Sequence, residues 1–296
     1  MPSFDILPQL LINGLIAGSI YALAASGFSL TYNVVKFLNF AQGAVIAISA
    51  YAFYFLMVSL KMSYLFSAIL AIAFSIIAML LMDFIVYKPL RKRKATNVVT
   101  LIASLALLTF FSSLVRALFG SSTKTLPLSH LNQTFDLGIV TITSFQIIII
   151  LTAIILFFLL FLLIKKTRLG KAMRAVADNK DVSKVVGINP EKIYAYAFAI
   201  AGVLGSVAGI LIGMEQNLYP RMGVLIIVKG FISSVVGGMG SVYGSIIGGI
   251  FIGIVENLGI WFLPSGYKDV ISFSVLLLFL LFRPKGILGV KMRDDA

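Results

Sequence analysis

Residues 145–164 read FQIIIILTAIILFFLLFLLI, twenty positions in which one Gln and one Thr are the only polar interruptions. A helix needs roughly 20 mainly apolar residues to cross a hydrocarbon core, and in lipid its backbone polar groups must be satisfied within the segment. Residues 98–119 form a second such run, and others recur along the chain between short connections. Only 12% of the 296 residues are charged, against about a quarter in a typical soluble domain. So few charges cannot cover a water-facing surface, and the mean hydropathy of +1.05 agrees. The fold class is therefore all-α and polytopic in a membrane. A porin-like barrel is excluded because its strands alternate apolar and polar positions, whereas these runs are continuous.

The net charge of +13 invites a nucleic-acid reading, but its placement argues against one. Of 24 Lys and Arg, five lie in 88–94, eight in 165–192 and four in 283–296. Basic residues concentrated in short loops beside spans mark the cytosolic side and suit an anionic inner leaflet of membrane lipid. The expected partners therefore include lipid and no nucleic acid. The chain has no Cys, so it has no disulfide framework and no Cys-ligated metal. The opening MPSFD carries no base, unlike the start of a cleaved signal peptide. It is read as lying outside, before a permanent first span.

Fixing the three basic stretches inside sets the rest of the topology. Spans are expected near 8–31, 44–60, 64–87, 98–119, 145–164, 191–213, 243–262 and 269–282, with NVVKFLNFAQG (33–43) a polar break after the first. An external loop covers 120–144, with a small hairpin at FDLGIVTIT around Gly138. The apolar segment 223–240, interrupted by Lys229, Gly230 and GGMG, either crosses or forms a broken helix, so the count is eight or nine. The whole chain, 1–296, reads as a single transmembrane domain. The breaks FLNFAQGA and VVGGMGSVYGS, each followed by a small-residue helix, suggest inverted repeats with interrupted helices, which in transporters line a midplane site.

Enzyme chemistry finds little support. The one His, His130, lies in the external loop, and no GxxxxGK[ST] phosphate loop occurs. GGMGSVYG sits inside an apolar stretch and reads as helix packing. Fourteen of 25 glycines fall between Gly202 and Gly259, many four residues apart, a spacing that lets helix backbones approach closely. Ionisable residues within spans are costly and mark function or pairing. Glu256 and Lys229 are candidates to pair or to face a polar cavity, and Asp83 to reach basic residues at the inner end of its span. Asn33, Asn39 and Gln42 at the first break could bond a substrate or satisfy freed backbone.

The long polar stretch 165–190, KKTRLGKAMRAVADNKDVSKVVGINP, differs from everything else in the chain. Gly170 permits a turn, and 171–186 reads as one short amphipathic helix with Ala172, Val176, Val182, Val185 and Val186 at roughly helical spacing. Gly187 stops it and Pro190 opens the next segment. Packing under its own spans, lying in the lipid interface and docking into a partner's groove all remain open from the residues alone.

Three stretches resemble a known family: GLIAGSIYALAASGFSLTYNVVKFLNFAQGAVIAISAY (14–51), RAVADNKDVSKVVGINPEKI (174–193), and 202–257 with VKGFISSVVGGMGSVYGSIIGGIFIGIVEN. Together and in this order they are similar to bacterial ABC importer permeases of the high-affinity branched-chain amino acid type, the LivH-like subunit. That resemblance implies a non-catalytic permease in the bacterial cytoplasmic membrane, its N-terminus outside and its C-terminus cytosolic. It implies a second related permease, or a second copy, two cytosolic ATPase subunits and an external substrate-binding protein. No cofactor or metal would be bound by this chain, ATP being held on the partners. The ATPase-coupling loop would comprise Arg174, Ala175, Ala177, Asp178, Gly187 and Pro190. Substrate-path candidates are Asn39, Gln42 and Gly43 at the first break, Gly237, Gly238 and Gly240 at the second, and Glu256. Urea or short amides as substrate, or an ion-gradient-driven secondary transporter, are the alternatives.

Overall fold

A computed structural model describes residues 6–127, 133–136, 138 and 140–289. His130 lies outside the described residues. The helices are α1 (Leu7–Val35), α2 (Gln42–Tyr54), α3 (Tyr64–Met82), α4 (Lys88–Lys92), α5 (Asn97–Phe119) and α6 (Ser144–Lys166). They continue with α7 (Arg168–Asp178), α8 (Lys180–Val185), α9 (Pro190–Glu215), α10 (Met222–Gly237), α11 (Val242–Gly259) and α12 (Lys268–Phe282). Strands β1 (Thr134–Asp136) and β2 (Thr141–Thr143) form an antiparallel hairpin in register Phe135 to Ile142, at the position expected around Gly138. π-Helical turns at Phe55–Ser59 and Asp83–Tyr87 extend α2 and join α3 to α4.

Local signals set the helix ends. Pro8 stands in the first turn of α1, where a missing N–H is harmless, and Lys36 in the left-handed region closes it. Thr143 and Gln146 form a reciprocal capping box at the start of α6. The Asn189 side chain accepts from the Glu191 and Lys192 amides, with Pro190 as the first residue of α9.

Among the described residues, eight helical segments are long and apolar enough to span a membrane, and α10, with 16 residues, is shorter. Contacts at the two ends of the bundle show that α10 also runs from one end of it to the other. The residues before it lie with the hairpin, because Leu218 and Lys124 exchange backbone hydrogen bonds, as does the start of α1, where Gln9 bonds Thr141. Its last turn lies at the other end, where the Ile287 and Leu288 amides donate to the Val236 and Gly237 carbonyls. Sixteen residues at 1.5 Å span about 24 Å.

The packing has an internal two-fold pattern. Helix α1 packs on α10 and α11, and α9 on α2 and α3. The two long helices touch each other, as do α2 and α10, while α5 lies on α2 and α12 on α10. Exchanging α1, α2, α3 and α5 for α9, α10, α11 and α12 preserves these pairings, and the two halves run in opposite senses. The break 36–41 therefore corresponds to 216–221, and GGMGSVYG corresponds to the connection 60–63. The expected match of FLNFAQGA with VVGGMGSVYGS is corrected: an apolar glycine run resembles a break in sequence, but its place in the chain order is that of a turn between helices.

The glycine spacing is spent inside the chain. A β-carbon on Gly253 would fall 2.3 Å from Gly18 Cα, and one on Gly249 would fall 2.4 Å from Ala22 Cα, so α1 and α11 meet backbone to backbone. Around this centre, α3, α5, α6 and α12 turn apolar side chains such as Phe66, Leu118, Phe158 and Leu281 outward, the face a bilayer covers.

The polar stretch 165–190 departs from expectation. It forms two helices, because the Asn179 side chain accepts from the Asp181 and Val182 amides in an extended conformation and starts α8 afresh. Gly170 is no turn: it lies in the first turn of α7, where a β-carbon would fall 2.2 Å from the Leu163 carbonyl oxygen. Helix α7 buries Met173 and Val176 against the spans, but Val182, Val185 and Val186 of the second part are 58%, 87% and 67% exposed.

Candidate functional site

The first polar cluster forms where α1 ends and α2 begins. Six residues of non-helical chain there bring polar groups into the bundle interior, and Asn39 and Gln42 are both fully buried. The Tyr87 hydroxyl donates to Asn39 Oδ1 at 2.8 Å, its ring stacked on Phe198 with centroids 5.4 Å apart. Gln42 Nε2 donates to the Ala24 carbonyl at 3.2 Å, and the Phe40 amide donates to Ser104 Oγ. Among the described residues, Asn39 Nδ2 and Gln42 Oε1 have no hydrogen-bond partner. A buried polar atom left without a partner costs about 1–3 kcal/mol, so these two groups mark the junction as polar ground in an otherwise apolar core. Gly43 touches α10 directly: a β-carbon there would fall 2.6 Å from Ile227 Cγ2 and 2.7 Å from the Gly223 carbonyl oxygen.

Gly237, Gly238 and Gly240 are not brought to that junction. They shape the turn from α10 to α11 at the opposite end of α10. Gly237 lies against the Gly244 carbonyl, while Gly238 and Gly240 hold φ of 114° and 88°. The Gly240 carbonyl accepts from Asn33 Nδ2, so Asn33 ties the end of α1 to this turn.

Glu256 belongs to a second polar cluster, between α1, α10, α11 and α12. Lys229 Nζ lies 2.6 Å from Glu256 Oε1 and 3.0 Å from Asp269 Oδ1. The Tyr21 hydroxyl donates to Glu256 Oε2 at 3.0 Å, the Ser272 hydroxyl donates to Oε1, and the Lys229 ammonium stands 5.1 Å from the Tyr21 ring centroid. Lys268 donates to Asn257 Oδ1 at 3.1 Å. Lys229 thus stands between two carboxylates, with Lys268 held on Asn257 beside Glu256. The pairing of Glu256 with Lys229 was legible in the sequence; Tyr21, Ser272 and Asp269 were missed, because two of them are neutral and Asp269 sits at a helix start. In the adjoining 216–221 break, burial first and the charge of Asp269 second hold the Tyr219 phenol above its ordinary range.

A third cluster ties helix ends together. Arg91 forks between Asp83 at 2.7 Å and Glu191 at 2.9 Å and lies over the Tyr194 ring, joining α4 to α9. Asp83 thus reaches a basic residue, as expected.

In the polar stretch, Arg174 is exposed and donates to the Ile164 carbonyl, and the Ala175 carbonyl accepts from the Asn179 amide. Ala177 and the exposed Asp178 end α7, Gly187 holds φ of 83° with open space around it, and Pro190 is buried. Among the described residues no group of three or more His, Cys, Asp or Glu could hold a metal ion. A cavity of about 900 Å³ between α2, α3 and α5 is walled almost wholly by apolar side chains such as Phe74, Phe110 and Leu114.

Residues 10–280 match the family described as the permease component of branched-chain amino acid transport systems. The chain is 35% identical to the high-affinity branched-chain amino acid transport system permease protein BraD of Pseudomonas aeruginosa, over 98% of each chain. It is 32% identical to the corresponding LivH protein of Escherichia coli, over 95% of each. A probable branched-chain amino acid transport permease, LivH of Methanocaldococcus jannaschii, is 31% identical over 97% of this chain and 94% of its own.

Proposed function

The chain belongs to the family of branched-chain amino acid transport permease components, and from that premise we propose that it is the membrane-spanning subunit of an ATP-driven amino acid importer, most of all for branched-chain amino acids. The observation that carries this reading is the family match across residues 10–280. The chain is a multi-pass membrane protein. Its N-terminus is outside and its C-terminus cytosolic, an orientation that rests on the three basic stretches.

In this reading the chain performs no chemistry. It pairs with a second permease, two cytosolic ATPases hydrolyse ATP, and an external protein delivers substrate. The exposed valines of α8 and the neighbouring Ala177, Asp178 and Gly187 form the ATPase dock. Closure of the ATPases pushes α7 and α8, which bear on α1, α6 and α9, and the two half-bundles pivot where α2 meets α10. Asn39, Gln42 and Gly43 line the path opened there. Ligand and nucleotide shift such an equilibrium only by their differential affinity for its two states. Both in-span carboxylates singled out in the sequence, Asp83 and Glu256, are held in ion pairs, which disfavours an ion-gradient carrier.

The test is radiolabelled leucine uptake by cells with and without this gene, followed by reconstitution with its ATPases and binding protein. Uptake requiring both the chain and ATP hydrolysis is the expected result. Uptake unaffected by loss of the chain, or driven by an ion gradient without ATP, overturns the proposal.

A further inference from the structure

The ion-pair cluster between α10 and α12 opens onto a cavity of about 120 Å³. Lys229 and Asp269 stand on its wall with Leu225, Val228, Ile232 and Phe273. Their charges are unequally sheltered. The Lys229 side chain is 10% exposed and the Asp269 side chain 55%. Lys229 is also anchored from behind by Glu256, itself almost fully enclosed. Asp269, in the first turn of α12, sits at the end of the bundle that carries the hairpin, while the Lys229 backbone lies seven residues, about 10 Å, past the start of α10 and its side chain reaches to Asp269.

Two features single this cavity out. A half-exposed carboxylate beside a lysine is costly against hydrocarbon and belongs on a face that meets water or a polar solute. The cluster is also charge-balanced, with Lys229 and Lys268 against Glu256 and Asp269. A ligand of net charge would leave an unpaired ion in a poorly solvated place, whereas a zwitterion would not.

We propose that this cavity is an entry site for a zwitterionic aliphatic amino acid on the outer part of the translocation path. The Lys229–Asp269 contact is exchanged rather than lost. The substrate carboxylate takes the place of Asp269 on Lys229, which stays bonded to Glu256. Asp269 receives the substrate ammonium, and the aliphatic side chain lies against Leu225, Val228, Ile232 and Phe273. The outward position of Asp269 sets the direction: ammonium toward the outer end, carboxylate inward. This inference rests on the importer reading above, whose ligand class it takes over, and adds to it a site and an orientation. It also places the α10–α12 face on the water-filled path.

The chain contains no cysteine, so Leu225→Cys gives a single reporter on the cavity wall. The assembled transporter in nanodiscs is labelled with a small membrane-impermeant thiol reagent. Labelling is expected, and saturating leucine should slow it about tenfold by occupancy. 4-Methylpentanoate, which lacks the ammonium, and 3-methylbutylamine, which lacks the carboxylate, should leave it unchanged. Asp269→Asn in the same background should abolish protection by leucine. No labelling, no protection by leucine, equal protection by either half-ligand, or protection surviving Asp269→Asn overturns the inference. The two readings fail separately. If leucine uptake requires the chain and ATP but leucine does not protect, only the site is wrong; if uptake does not require the chain, the importer reading itself fails. Should Leu225→Cys assemble poorly, Val228→Cys on the same wall repeats the measurement.

Discussion

Gly43 on α2 and Gly223 on α10 meet backbone to backbone. A β-carbon on Gly223 would fall 2.1 Å from the Gly43 carbonyl oxygen, and one on Gly43 would fall 2.7 Å from the Gly223 carbonyl oxygen. This contact joins the two inverted halves at their short helices. Overpacking a filled interface costs about 1–3 kcal/mol, so Gly223→Ala should lower the unfolding temperature and reduce leucine uptake more than tenfold at equal membrane abundance. Gly266→Ala, where a β-carbon meets nothing within 4 Å, serves as the control and should stay within about 0.5 kcal/mol of the parent.

The buried pair Lys229–Glu256 predicts an asymmetry between single and double substitution. Glu256→Ala removes the carboxylate that anchors Lys229 and takes the acceptor from Tyr21 and Ser272. Breaking one partner of a buried pair costs about 3–5 kcal/mol, whereas apolar replacement of both is often neutral. Glu256→Ala should therefore melt well below the parent in detergent, and Lys229→Met with Glu256→Leu should recover most of the loss.

At Arg91 the two carboxylates should contribute unequally. Asp83 is 7% exposed in its side chain and Glu191 is 38% exposed. Solvent screening leaves an exposed pair worth about 0–1 kcal/mol. In double-mutant cycles on thermal stability, the Arg91–Asp83 coupling should exceed the Arg91–Glu191 coupling severalfold. Arg91→Lys should recover only part of the loss, because an ammonium cannot fork as a guanidinium does.

Helix α8 separates folding from docking. Val185 is 87% exposed, so Val185→Asp should change stability by less than about 0.5 kcal/mol while reducing copurification of the ATPase subunits. Asn179→Ala removes the cap that starts α8 and should cost about 1 kcal/mol. Unchanged ATPase recovery in both variants would count against the docking assignment.

The sequence by itself determined the spanning helices and which connections are basic, because run length, hydropathy and charge are local properties. It also showed that Lys229, Glu256 and Asp83 would seek partners, since an ion in a span must be matched. It placed the hairpin at Gly138 and Pro190 at a helix start, where backbone chemistry settles the matter within a few residues.

Only the tertiary structure decided what depends on separation in the chain. It paired break 36–41 with 216–221 rather than with the more conspicuous glycine run, since symmetry resides in helix contacts and not in the appearance of a segment. It divided 171–186 at Asn179, where one side-chain cap outweighed a helical apolar pattern. It sent Gly237, Gly238 and Gly240 to a turn at the far end of α10 from Asn39 and Gln42. And it gathered Tyr21, Lys229, Glu256, Asp269 and Ser272 from four helices into one cluster: residues far apart in the chain become neighbours only once the helices pack closely enough for a buried charge to reach them.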